Sequence, residues 1–147
     1  MRVAVCALAL VAASCGGGPE VVARDRDGGV VAEAALPDDG RFELSYRHSV
    51  YEAPAVERFR AADEGFVLES VRSPSAAVID YYELEGRRTR DPRGWWVLTP
   101  DRPARFEQMP LAGTRRGQRT LVAGSKHLPL YRRDGRAQHV RLAVEGT

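Results

Sequence analysis

Between Arg41 and Val50 the chain alternates apolar and polar residues without a break. Phe42, Leu44, Tyr46, His48 and Val50 fall on one side, and Arg41, Glu43, Ser45, Arg47 and Ser49 on the other. Successive side chains of a β-strand point to opposite faces, so a period of two marks a strand with one covered face and one wet face. A helix would scatter the same residues around its circumference. This segment therefore commits the chain to a sheet whose apolar face must be packed against another layer.

The rest of the sequence supplies further short strands with turns between them. Val21–Arg24 and Val30–Ala35 flank Asp27-Gly28-Gly29, a hairpin turn signal, and Pro37-Asp38-Asp39-Gly40 punctuates before Arg41. Tyr51–Pro54 reads as a turn, Ala55–Ala62 as the returning strand, and Glu64-Gly65 as the turn into Phe66–Val71. Trp95–Thr99, Arg105–Met109, Gln118–Ala123, Leu128–Tyr131 and His139–Val144 are further strands. One helix is expected over Pro74–Glu85, with Ser73 as N-cap and Gly86 as C-terminal cap, and Gly86–Gly94 as an exposed arginine-rich loop. The fold class expected is all-β: an antiparallel β-sandwich or small barrel with one short helix.

The start of the chain has a different character. After Met1-Arg2, residues Val3 to Ala13 form an apolar run of eleven residues, followed by Ala12-Ala13-Ser14-Cys15 and then Gly16-Gly17-Gly18-Pro19. A bilayer span needs about 20 residues, so this run suits a signal-peptide core instead. Ala12-Ala13-Ser14-Cys15 resembles a bacterial lipobox, with Ala12 standing where Leu is usual; an ordinary cleaved signal is the alternative. The expected organisation is a lipoprotein signal peptide over 1–14, lipid attachment at Cys15, a flexible tether over 15–19 and a single β-rich domain over 20–147. Cys6 and Cys15 are the two cysteines, so the domain itself would carry no thiol or disulfide chemistry. Its 22 basic residues less Arg2 leave 21 against 20 acidic ones, which gives no electrostatic footprint for nucleic acid.

The stretch Phe42-Glu43-Leu44-Ser45-Tyr46-Arg47-His48-Ser49-Val50, followed by Pro54 and Glu57, resembles a bacterial family of small extracytoplasmic proteins of unknown function. Val71-Arg72-Ser73-Pro74-Ser75 and Tyr81-Tyr82 carry the resemblance further, and it extends over about Val21 to Val144. Members are often encoded beside TRAP transporters of the TAXI type, which import organic acids. The resemblance implies an extracytoplasmic location and a transporter partner, and no established activity.

Face parity gives a hairpin register for the segment. A four-residue loop at Tyr51–Pro54 would pair Val50 with Ala55, His48 with Glu57, Tyr46 with Phe59 and Leu44 with Ala61. The resulting His48–Glu57 pair either satisfies itself in the core or lines a pocket that meets a ligand. Ser49 adjoins His48 but points to the opposite face, and no Gly-x-Ser-x-Gly elbow is present, so no enzyme activity is expected. His48, His127 and His139 lack close ligand spacing, and Asp25 with Asp27 fits a turn better than a calcium loop, so neither metal nor cofactor is expected. Of Trp95 and Trp96, one should enter the core and one face outward. Arg87, Arg88, Arg90 and Arg93 form one cluster, and Arg115, Arg116 and Arg119 another; each is either a solvated loop or an anion-binding rim. The expected function is a membrane-tethered extracytoplasmic binding or accessory protein, with His48, Ser49, Glu57 and Arg47 meeting a ligand or partner. Its expected partners are the membrane through Cys15, TRAP transporter subunits and a small organic anion. The alternative is a structural, envelope-interaction domain without a small-molecule site.

Overall fold

The computed structural model of the chain describes residues 17–146, so the expected leader and Cys15 lie outside the described residues. The first hairpin is formed by β1 (Glu20–Arg24) and β2 (Val30–Ala35) around the Asp27-Gly28-Gly29 turn. The chain continues through β3 (Arg41–Arg47), β4 (Pro54–Ala61) and β5 (Phe66–Ser73), a meander of antiparallel neighbours. Next come α1 (Ala76–Tyr81), β6 (Gly86–Arg90), β7 (Trp96–Pro100), β8 (Arg105–Phe106) and β9 (Gln108–Gly113). The last strands are β10 (Thr120–Ala123), β11 (Lys126–Pro129) and β12 (Gln138–Glu145).

These strands make two open antiparallel sheets rather than a closed barrel. One has the order β2-β1-β12-β9, and the other β11-β10-β3-β4-β5-β7-β6 with β8 added on β5. The expected segment Arg105–Met109 is split between them: β8 pairs with β5, a bend follows at Glu107, and β9 pairs with β12 in the other sheet. The core lies between the layers. Phe42 stacks on Phe59 with ring centroids 5.3 Å apart, Phe66 meets both edge-on, and Val21, Ala23, Ala34 and Leu142 of the smaller sheet belong to the same buried cluster. Such aromatic pairs add about 0.5–1.5 kcal/mol beyond their area burial. On the wet face of β5, an extra residue, Glu69, interrupts the pairing with β4 and binds Arg41 and Arg60 at 2.7 Å each.

Three sequence expectations need correction here. The helix spans six residues, not twelve, and its N-cap is Ser75. Ser73 instead completes β5, where its buried hydroxyl donates to Pro54 O at 2.8 Å and accepts from Ser75 N. Gly86 is no helix cap: it opens β6, where a Cβ would come within 2.3 Å of Thr99 O on the paired strand. The supposed loop over 86–94 is thus an exposed edge strand and its turn, polar because it borders the sheet.

The topology separates the start of the domain from the cleft described below. Pro19 O accepts a hydrogen bond from Leu36 N, so the beginning of β1 lies beside the end of β2. Glu20 pairs with Glu145 at one end of β12, and Gly113 with Gln138 at the other. The eight residues of β12 at about 3.4 Å each put roughly 24 Å between those ends.

Two glycines with similar backbone angles should respond differently to a side chain. Gly65 (φ +78°) would place a Cβ 2.0 Å from Phe106 O, whereas Gly94 (φ +80°) has open space around it. Gly94→Ala should cost about 1–2 kcal/mol from its backbone angle alone, and Gly65→Ala more than about 3 kcal/mol, as read from urea unfolding.

Candidate functional site

The β3–β4 register decides which residues meet. Phe42 pairs with Phe59, Leu44 with Glu57, Tyr46 with Ala55 and Arg47 with Pro54. Parity is as expected, but the strands are offset by four residues from the sequence-derived register, Leu44 meeting Glu57 instead of Ala61. The connection is six residues long, His48 to Ala53, because it closes as a compact loop: His48 N donates to Ala53 O at 2.9 Å and Glu52 N to His48 O at 2.8 Å, with Glu52 at φ +52°. The expected pairing of His48 opposite Glu57 is therefore not formed, and His48 sits in the loop.

In that loop His48 is only 6% exposed. Its Nδ1 accepts from Val50 N at 3.3 Å and Tyr51 N at 3.4 Å, which places the proton of the neutral ring on Nε2. Nε2 makes no hydrogen bond to the described residues, and the ring lines a cleft. Around it stand Tyr81, edge-on at 4.6 Å, and Tyr51 at 5.2 Å.

Glu57 has different partners from those expected. Its Oε1 accepts from the Tyr82 hydroxyl at 2.5 Å and more weakly from that of Tyr46 at 3.5 Å, and the two hydroxyls bond each other. Oε2 makes no hydrogen bond to the described residues. Burial, followed by the negative charge of Glu57, pushes the Tyr46 phenol up to about 12. The same two causes push Tyr82 further up, with the Tyr46 hydroxyl adding to them. Both phenols thus remain protonated donors at any physiological pH.

The remaining wall comes from the segment between β9 and β10. Thr114 Oγ1 accepts from Gly117 N, and Gly117 O accepts from Arg47 N at 2.7 Å, pinning this loop to the end of β3. Two residues later the Arg119 guanidinium lies 4.5 Å over the Tyr46 ring. No carboxylate pairs with Arg119 among the described residues, whereas Arg47 and Arg116 both bind Glu52. Stacking holds the guanidinium plane while leaving its N–H edges available. The cleft enclosed by these groups has a volume of about 520 Å³, with Ser49 and Arg47 at its rim.

Of the four ligand residues read from sequence, the structure brings all to this cleft, but not as the His–Glu pair expected. The roles missed are those of Tyr46 and Tyr82 as partners of Glu57. In sequence Arg119 is only one of a cluster, a solvated loop or an anion-binding rim; the structure sets it apart from Arg116 as the one without a carboxylate among the described residues. In the other arginine cluster, Arg88 binds Asp80 and Arg90 lies against Trp96 at 3.8 Å. Trp95 and Trp96 are both half-buried, and of the two Trp96 packs against the core cluster. Asp25 Oδ1 accepts from Asp27 N and Gly29 N, a turn bond. Among the described residues no three His, Cys, Asp or Glu side chains converge as metal ligands.

Residues 42–130 match the family described as a domain of unknown function (DUF1850), and the chain belongs to that family. The matched stretch contains every cleft residue named above. No curated protein and no solved structure matches the chain. No helix among the described residues is long and apolar enough to cross a membrane.

The two shifted phenols make the fold sensitive to alkali. A folded-state pKa raised above 10 means that the folded protein holds the proton more tightly than the unfolded chain. The resulting stability is complete below about pH 10 and lost as pH rises through about 12 for Tyr46. Urea unfolding between pH 9 and 12 should show the loss in the native protein, and Tyr46→Phe should reduce its slope without abolishing it, because Tyr82 keeps burial and Glu57 as causes of its own shift.

Proposed function

Starting from this family membership, we propose that the protein is an extracytoplasmic, membrane-tethered binding module whose cleft holds a small organic carboxylate. It would serve as an accessory to a TRAP-type organic-acid importer. One observation carries the ligand: the Arg119 guanidinium and His48 Nε2 both border one cleft and have no acceptor in the described protein. Both donors open onto the cleft, where a carboxylate would supply acceptors through charge-assisted hydrogen bonds. An arginine stacked on a ring is suited to bidentate carboxylate binding. Ser49 and Arg47 at the rim add a hydroxyl and a second positive charge.

The tether is supported by the lipobox-like Ala12-Ala13-Ser14-Cys15 and the glycines after it. Holding the domain at a bilayer raises its local concentration near an integral-membrane partner. The cleft lies at the end of the sandwich remote from Pro19, which suits a ligand taken from the aqueous side. A second reading, an envelope domain that contacts proteins, is favoured by the exposed Val50, Tyr51 and Tyr81 around His48.

Calorimetric titration with a panel of organic acids distinguishes the two. Arg119→Ala should weaken the best carboxylate by at least about thirtyfold, about 2 kcal/mol, without moving the melting temperature by more than about 2 °C. If no carboxylate binds the native protein, the binding reading falls and the protein-contact reading stands. Mass analysis of the mature N-terminus should find residues 1–14 removed and Cys15 diacylated; an unmodified N-terminus would remove the tether.

A further inference from the structure

We propose that the ligand is a zwitterion, an amino carboxylate with an apolar body, and not a dicarboxylate; this rests on the carboxylate-binding reading of the same cleft. The cleft carries charge of both signs. Arg119 lies over the face of the Tyr46 ring, and Glu57 lies at the hydroxyl end of that same side chain. One unpaired cation and one carboxylate with a free Oε2 are thus separated by the length of a single phenol. A ligand reaching both needs an acceptor at one end and a donor at the other, with hydrogen bonds of about 2.9 Å at each.

Charge decides the class. The second carboxylate of a dicarboxylate would face Glu57, and like charges brought together in a partly desolvated cleft repel. A cationic nitrogen in that place faces Glu57 Oε2, a group that the phenols orient but do not use up. The rings of Tyr46, Tyr81 and Tyr82 line the same space, and aromatic faces attract cations. The apolar body has its own surface. Tyr81 is 59% exposed and stands edge-on to His48, and with Val50 and Tyr51 it makes up three of the four exposed large hydrophobic residues among those described. Tyr81 lines the cleft and Tyr51 meets both Tyr81 and His48, so an exposed aromatic pair borders the polar cleft and offers a contact surface for a ligand's side chain.

The test uses the full chain purified in detergent and isothermal titration with four probes. These are phenylalanine, N-acetylphenylalanine, 3-phenylpropionate and succinate. Phenylalanine should bind at least about tenfold more tightly than each of the other three, because only it pairs both charges. In Glu57→Gln, which keeps an oxygen for the phenols, phenylalanine should fall to within about threefold of 3-phenylpropionate. Tight binding of 3-phenylpropionate or succinate, equal to that of phenylalanine and abolished by Arg119→Ala, overturns the zwitterion while leaving the carboxylate cleft in place. Binding of no carboxylate probe, or binding indifferent to Arg119, overturns both. The N-acetyl comparison needs no variant, so the proposal stays testable if Glu57→Gln does not fold.

Discussion

The stacking of Phe42 on Phe59 governs the rest of the molecule. These rings, with Phe66 and Phe106, form an aromatic cluster in the interlayer core, and the pairing of Phe42 with Phe59 accompanies the register of β3 on β4. A slip of two residues would keep every side chain on its proper face but would break this cluster. With the rings opposed, Leu44 faces Glu57 and Tyr46 faces the small Ala55, and six residues remain for the connection. The positions of Tyr46, His48 and Glu57 follow from that arrangement.

A carboxylate on the inward face of a sandwich needs compensation, since burying a charge without partners is costly. Here the compensation is two phenols rather than an arginine. Tyr46 comes from the same sheet and Tyr82 from the end of α1, so the short helix earns its place by delivering one hydroxyl. Neutral donors satisfy Oε1 without cancelling the charge of Glu57, and the raised phenol pKa values are the counterpart of that charge. His48 is held in an analogous way by backbone amides of its own loop, which leaves its outward nitrogen unengaged. Both groups are positioned by one side of their chemistry and keep the other side open.

The period of two over Arg41–Val50 identified β3 and its buried face, although the strand ends at Arg47, and the Asp27-Gly28-Gly29 turn located the first hairpin with its strands. These signals are local, so they could be read locally. The loop after β3 was not legible, because its length depends on the Phe42–Phe59 stack and on a positive φ at Glu52 that no residue type announces. Gly86 misled for a related reason: a glycine demanded by the close approach of Thr99 O looks the same in sequence as a helix cap. His48, Ser49, Glu57 and Arg47 could be grouped from sequence because they share one hairpin, and all four line the cleft. Arg119 and Tyr82 come from distant segments, and only tertiary packing joins them to it. The visible hints were the Tyr81-Tyr82 pair and the arginine cluster at 115–119.

A crystal structure of the full chain grown with the tightest-binding carboxylate tests the central claim most directly. Ligand density should fill the cleft, with carboxylate oxygens about 2.9 Å from the Arg119 guanidinium and from His48 Nε2. A structure with water alone between Arg119 and His48, and the ligand bound elsewhere on the molecule, would contradict it.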